Sequence, residues 1–190
     1  MAKIMRLRSQ TTRPADNTAY AAGDEVSNSA TAGSVVRHVF DLSGFRNGRI
    51  YVAELDIAAA SGNVVTTAGD FEVLIFRTDD APAAVGDNVT NPIAAAVRAK
   101  AVAAFRFDDT GWTGPLGTVA AGTSQVQAVM ATLVKPLATP VLNELWPNGN
   151  IFSLEDVKPK SLTAVIRPLA AWTPTGIVNT IGLTLDIEAQ

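Results

Sequence analysis

The sequence predicts an all-β fold, an antiparallel β-sandwich of jelly-roll-like form with an extended N-terminal arm and at most one or two short helices. Three observations point there. The closing stretch "IVNTIGLTLDIEA" alternates strictly, with Ile177, Ile181, Leu183, Leu185 and Ile187 on one face and Thr180, Thr184, Asp186 and Glu188 on the other, the period-two signature of a half-buried strand. Short runs rich in β-branched and aromatic residues recur along the chain, separated by wide loops punctuated with Gly, Pro, Asn and Asp. No repeat of fixed period appears, which argues against solenoids and propellers. A jelly roll accommodates such long crossings. An immunoglobulin-like sandwich is the second choice, since its Cys and Trp spacing is missing.

Residues 1–33 read as the extended arm. The stretch "TTRPADNTAYAAGDEVSNS" holds turn residues and small polar side chains but little that could build a core. Pro14 fixes its own φ and biases Arg13 toward extended backbone, while Asp16-Asn17 and Gly23-Asp24 are turn chemistry. Residues 34–190 read as the sandwich domain. "SVVRHVF" is a short β-branched strand, and Asn47-Gly48 looks like a tight turn. In "RIYVAELDIAAAS", Tyr51, Ala53, Leu55 and Ile57 share one face, with Glu54 and Asp56 on the other. "DFEVLIFRT" is apolar on both faces, as in a central strand covered on both sides. "DDAPAAVGDNVTNP" is irregular. "IAAAVRAKAVAAF" is the one plausible helix, on alanine propensity. "VQAVMATLV" resumes strand character, Pro136 and Pro140 bracket an edge-like piece, and "NELWPNGNIFSLEDVKP" reads as loop with a turn at Asn148-Gly149. In "SLTAVIRPL", Leu162, Ala164 and Ile166 face one way.

The chain has 190 residues, enough to bury a full core without metal or disulfide. Hydrophobic residues make up 47% and charged residues 17%, against about 25% charged in a typical soluble domain. So sparse a charge suits close packing against neighbours as well as it suits a bland, robust domain. The net charge of −3 argues against nucleic acid as a partner. Basic residues nevertheless lead the chain: Lys3, Arg6, Arg8 and Arg13 all precede Asp16, the first acid. A basic arm on an acidic body fits docking to an acidic surface or a solvated terminus. Cysteine is absent, which excludes a disulfide framework, a thiol nucleophile and a Cys zinc site. No apolar run reaches membrane-spanning length, so no membrane partner is expected. The basic start lacks the apolar stretch of a secretory signal, and synthesis in a cytoplasm is expected.

Chemistry-bearing patterns are few. His38 is the single histidine and lies within an apolar strand, where a packed residue is commoner than a catalyst. One histidine and no cysteine exclude metal cupins and zinc hydrolases, and no nucleophile elbow, Walker loop or dinucleotide fingerprint appears. Adjacent carboxylates at Asp79-Asp80 and Asp108-Asp109 would point to opposite faces of a strand. Neither doublet forms a glycosidase dyad, and strand-exit turns explain both. Asp79, Asp80, Asp87 and Asn88 could chelate Ca²⁺ only if their loop folded back, without the spacing of a calcium loop. Trp112, Trp146 and Trp172 sit in or beside loops, where they could cap the sandwich, anchor a partner or stack on sugar. No enzyme is predicted, and no cofactor.

Two segments carry a resemblance. Thr12-Arg13-Pro14, Tyr20, Gly23-Asp24 and Val26, together with "FEVLIFRTDDAPAAVGDNVTNP" ending at Asp87-Asn88, resemble patterns in head-associated structural proteins of tailed bacteriophages, among them decoration or cement proteins. The detailed match covers about a fifth of the chain. The resemblance implies a non-enzymatic virion protein on the capsid surface, bound to the major capsid protein and cementing neighbouring subunits through sandwich and arm. It implies a homo-oligomer, with a trimer expected at threefold positions. Arg6, Arg8, Arg13, Pro14 and Tyr20 of the arm, with Trp112 and Trp146 of the loops, are the expected partner-binding residues. The reading from another class is a carbohydrate-binding or adaptor module of a phage tail or baseplate, built on the loop tryptophans.

Overall fold

Alternating apolar and polar side chains become strand along most of the chain, because each strand can bury one face only by stacking on a second sheet. The structure, a computed structural model, describes residues 3–59, 69–107, 125–130, 132–134, 151–174 and 179–189. Its elements in chain order are β1 (Lys3–Arg13), β2 (Asp24–Glu25), β3 (His38–Asp41), β4 (Asn47–Ala59), β5 (Phe71–Arg77), β6 (Val89–Thr90), α1 (Ala95–Arg98), β7 (Ala103–Phe107), β8 (Gln125–Met130), β9 (Thr132–Val134), β10 (Ile151–Ser153), β11 (Ser161–Pro168) and β12 (Asn179–Ala189).

Two five-stranded antiparallel sheets hold the main strands. The first runs β1-β12-β4-β10, with β8 also on β4, and the second runs β3-β11-β5-β7-β9. The pairings β1–β12, β3–β11, β4–β8 and β5–β7 nest like one long hairpin folded back on itself. The pairings β12–β4 and β11–β5 then join the halves into sheets. That wiring of eight strands is the jelly roll. The expected sandwich is therefore the observed one.

Between the sheets lies the core. Ile181, Leu183, Leu185 and Ile187 of β12 meet Phe71, Val73 and Ile75 of β5 and Leu162, Ala164 and Ile166 of β11. β5 is buried on both faces, as expected. Leu74 and Phe76 point away from the main core into a second cluster with Ala101, Ala104 and Val165, covered by Ala81, Ile93 and Val97. The second sheet thus wears its own chain as a coat. On the first sheet Ile4, Arg6, Arg8, Arg49 and Tyr51 stay exposed.

Five expectations need correction. Residues 3–13 are extended, but they form no separate arm: all eleven pair in register with β12. Met5 and Leu7 pack against the core, and that alternation hides among the arginines and polar residues of "KIMRLRSQTTR". Asn47-Gly48 is no turn. It opens β4 and pairs with β10, and a Cβ on Gly48 would stand 2.5 Å from the Phe152 ring, so glycine is there to let that ring approach. The helix shrinks to Ala95–Arg98, because Ala103, Ala104 and Phe105 pair with β5, and a buried edge outweighs alanine propensity. Within the expected loop after Asn143, Ile151–Ser153 is strand β10. Asn148-Gly149, Pro136 and Pro140 lie outside the described residues.

Tyr51 departs from its predicted face for a specific reason. The register between β4 and β12 shifts, with Asp186 opposite Val52 and Ile187 opposite Ile50. Tyr51 is the extra residue of a β-bulge, which turns its side chain outward and leaves Ile50 buried in its stead.

Candidate functional site

Among the described residues, the richest concentration of polar chemistry is an interior network where the end of β1 meets the loop before β6. Arg13 is the last residue of β1 and its side chain turns inward, 1% exposed. Its Nε donates to Tyr20 Oη at 2.5 Å. Nη1 donates to the carbonyls of Pro14 and Asp16, and Nη2 to Asp16 Oδ1 at 2.6 Å. Tyr20 Oη donates onward to Asp87 Oδ1 at 2.6 Å, which also accepts from the Ser27 amide at 2.8 Å. Asp87 Oδ2 lies 3.7 Å from Arg13 Nε. The loop reaches this place through two left-handed residues, Gly86 at φ 112° and Asn88 at φ 55°. Asn tolerates that conformation better than most residues, and Gly adopts it freely.

Tyr20 also makes a β-bridge with Trp172, and their ring centroids are 5.1 Å apart. Trp172 meets Phe71 edge-on at 5.0 Å. This tryptophan is buried at the end of the core, the capping role open to it from sequence.

Next to it lies a second set of buried charges. Thr90 Oγ1 and the Ala21 amide donate to Asp24. Glu25 accepts both Arg37 Nε at 2.6 Å and Nη2 at 2.7 Å, plus Asn91 Nδ2 at 2.7 Å. The remaining Arg37 donors reach the carbonyls of Pro82 and Ala83. Further along, Glu72 accepts from both Arg98 and Arg167, and Arg167 also donates to the Asn91 carbonyl at 3.1 Å. These bonds tie residues 13–37 and 72–98 to β11.

The electrostatics of the network follow from its burial. Burial, then the hydrogen bond to Asp87, pushes the Tyr20 phenol far above its ordinary range. Burial raises Asp87, against the opposing pull of the Ser27 amide, Tyr20 and Arg13. Each network carboxylate accepts hydrogen bonds from partners inside the protein. Among the described residues no group of three His, Cys, Asp or Glu could hold a metal ion. Asp80 pairs with Arg77 and Lys100 and Asp79 with Arg77, while Asp87 faces Tyr20, so the calcium arrangement considered from sequence does not assemble. His38 touches Thr11 Oγ1 through Nε2 at 3.2 Å and is buried where β3 meets β1. Burial, against a hydrogen bond to the Ser9 backbone, pushes it down to about 4.

The expected partner-binding residues divide. Arg13 and Tyr20 come together, but inside the protein, where a buried guanidinium and phenol are spent on Asp16 and Asp87; Pro14 beside them is half-buried. Arg6 and Arg8 stand on the outer face of the first sheet. Arg6 pairs with Glu54 and Asp186, and Arg8 with Asp56 at 2.8 Å. Trp112, Trp146 and the pair Asp108-Asp109 lie outside the described residues. Sequence reasoning passed over Glu25, Arg37, Glu72, Arg98 and Arg167. Their one signal was charge placed within or beside apolar runs, as in "FEVLIF" and "VIRPL".

No protein-family model matches the chain, and no curated protein does. Among solved structures, the chain is similar to the BFDV capsid protein in its decameric form, at 14% identity over 100% of both chains with a TM-score of 0.33. A virus-like particle of Macrobrachium rosenbergii nodavirus follows at 11% identity, over 100% of this chain and 96% of that one, TM-score 0.32. Cocksfoot mottle virus aligns at 14% identity over 99% and 95%, TM-score 0.24. Alignments this loose carry no weight for the fold, which rests on the strand pairing itself.

Proposed function

We propose that this chain is a non-enzymatic structural protein of a virion, one that decorates the outside of a tailed-phage capsid and cements neighbouring copies of the major capsid protein. The observation that carries the reading is convergence. The two segments that resemble head-associated phage proteins lie far apart in sequence, yet Arg13 and Tyr20 of one meet Asp87 of the other in a single buried hydrogen-bonded chain. A pattern that makes one three-dimensional fastening is a signature of a shared scaffold, and the resemblance gains meaning from it.

A cement protein acts by binding the assembled shell more tightly than free subunits, with several weak contacts combined by avidity. Here the contact falls to the sandwich body. Residues 3–13 are engaged in the sheet as β1, so no bridging arm is available from them. The test is co-sedimentation of purified protein with undecorated heads of the cognate phage. Saturable binding at fixed stoichiometry is expected, and absence of binding would move the chain out of the capsid surface altogether.

A further inference from the structure

The outer face of the first sheet carries a row that is complementary to its own reverse. Ile4 on β1 stands opposite Glu188 on β12. Glu188 stands opposite Arg49 on β4, and Arg49 opposite Ile151 on β10. Across four strands the row reads apolar, acid, base, apolar. Its ends are unusually bare for isoleucine, with Ile4 73% and Ile151 59% exposed. The bulge in β4 adds Tyr51 at 46% exposure, beside Arg49 and donating to Glu188. A cleft lined by Asn47, Gly48, Arg49, Ile151 and Glu188 opens at the Ile151 end.

We infer that this face binds a second copy of the same chain, stacked sheet on sheet about a two-fold axis running along the strands between β12 and β4. That operation reverses the row. Ile4 of each copy then falls on Ile151 of the other and enters the cleft beside it, and Glu188 of each falls on Arg49 of the other. Isologous interfaces require this self-complementarity, and a surface that happened to be apolar would lack it. An Arg and a Tyr flanked by aliphatic knobs match the composition of interface cores. The area also suffices. β1 and β12 with 11 residues each, β4 with 13 and β10 with three, spaced about 4.8 Å apart, present on the order of 600 Å² per copy, or about 1,200 Å² in total, the low end of stable interfaces. The opposite sheet offers no equivalent, since the segment around α1 already covers its outer face. The contact is two-fold, in place of the trimer expected from threefold capsid positions, and it needs no capsid.

The experiment is sedimentation velocity of the full chain at about 100 µM, where an interface of this size is occupied. The expected mass is twice that of the chain. Ile4→Lys and Ile151→Asp, both at exposed positions, should each halve it while leaving the circular dichroism unchanged. An equimolar mixture of the two variants should recover the dimer, because the new lysine of one copy meets the new aspartate of the other while the second Ile4–Ile151 contact stays intact. A monomeric or trimeric wild type, a dimer indifferent to both variants, or a mixture that stays monomeric would each overturn the inference. None of these outcomes bears on head binding, so the virion reading stands or falls separately.

Discussion

Two regions of this protein use the same side chains to opposite effect. In the network around Tyr20, Arg13 and Asp87 are buried and hydrogen-bonded to partners inside the protein. On the outer face of β1, β12 and β4, Arg6 meets Glu54 and Asp186 in the open, and Arg8 reaches down to Asp56. Buried pairs are costly to assemble and costlier to halve, because removing one partner strands a charge in low dielectric. Exposed pairs are shared with water and salt, and contribute little. The interior network therefore decides whether the residue 14–37 segment stays docked, while the outer ladder decides what the surface presents.

Breaking the interior network should give the largest effects. Arg13→Ala leaves the buried Asp87 without its nearby cation and the Pro14 and Asp16 carbonyls without their donor, while the Asp16 carboxylate, 41% exposed, turns to water; a loss of about 3–5 kcal/mol in denaturant unfolding is expected. A loss below about 1 kcal/mol would mean that water replaces the guanidinium and that the network is not sealed.

His38 comes next and is read by pH. Its folded value near 4 lies below the ordinary 6.5, so the unfolded chain binds the extra proton first. The contribution is complete above pH 6.5 and is lost as pH falls toward 4, by about 3 kcal/mol at 1.36 kcal/mol per unit. Burial raises Asp56 and Asp87, which act in the other direction. The wild-type curve should therefore be compared with that of His38→Gln. Relative to wild type, the variant should lose less stability, or gain more, as pH falls from 6.5 to 4, and parallel curves would show that His38 does not titrate there.

Tyr20→Phe is smaller, at about 1–3 kcal/mol, since it removes one hydroxyl and leaves Asp87 short of a donor. On the outer face Arg8→Ala should cost about 1–2 kcal/mol, because Asp56 is nearly buried. Arg6→Ala should cost at most about 1 kcal/mol. If thermal unfolding ranked Arg6 above Arg8, burial of the acidic partner would not be what sets the value of these pairs.

Much of the fold was legible because strand patterning is local. The faces of β5, β11 and β12 follow from alternation alone, and they are as expected. Legibility fails where distant residues decide the outcome. Lys3–Arg13 looks like an arm because only Ile4, Met5 and Leu7 of its residues are apolar, yet β12 supplies a full partner edge and the segment becomes strand. The helix beginning at Ile93 looks continuous until β5 offers Ala103–Phe107 a place in a sheet. The candidate site was half visible: Arg13 and Tyr20 stood out in the phage-like pattern, but as a binding surface, since nothing local distinguishes an arginine meant for a partner from one meant for an aspartate seventy-four positions away.

By itself, then, the sequence determined the class of the molecule: strands of period two, one central strand apolar on both faces, and an absence of cysteine that leaves packing and hydrogen bonds to hold the fold. Tertiary structure alone decided that Arg13 and Tyr20 turn inward, that a bulge rotates Tyr51 out to solvent, and that Ile4 and Ile151 finish on one row of one sheet. Side-chain alternation is set within a few residues of chain, whereas strand pairing, charge burial and surface complementarity exist only once segments remote in sequence share an edge.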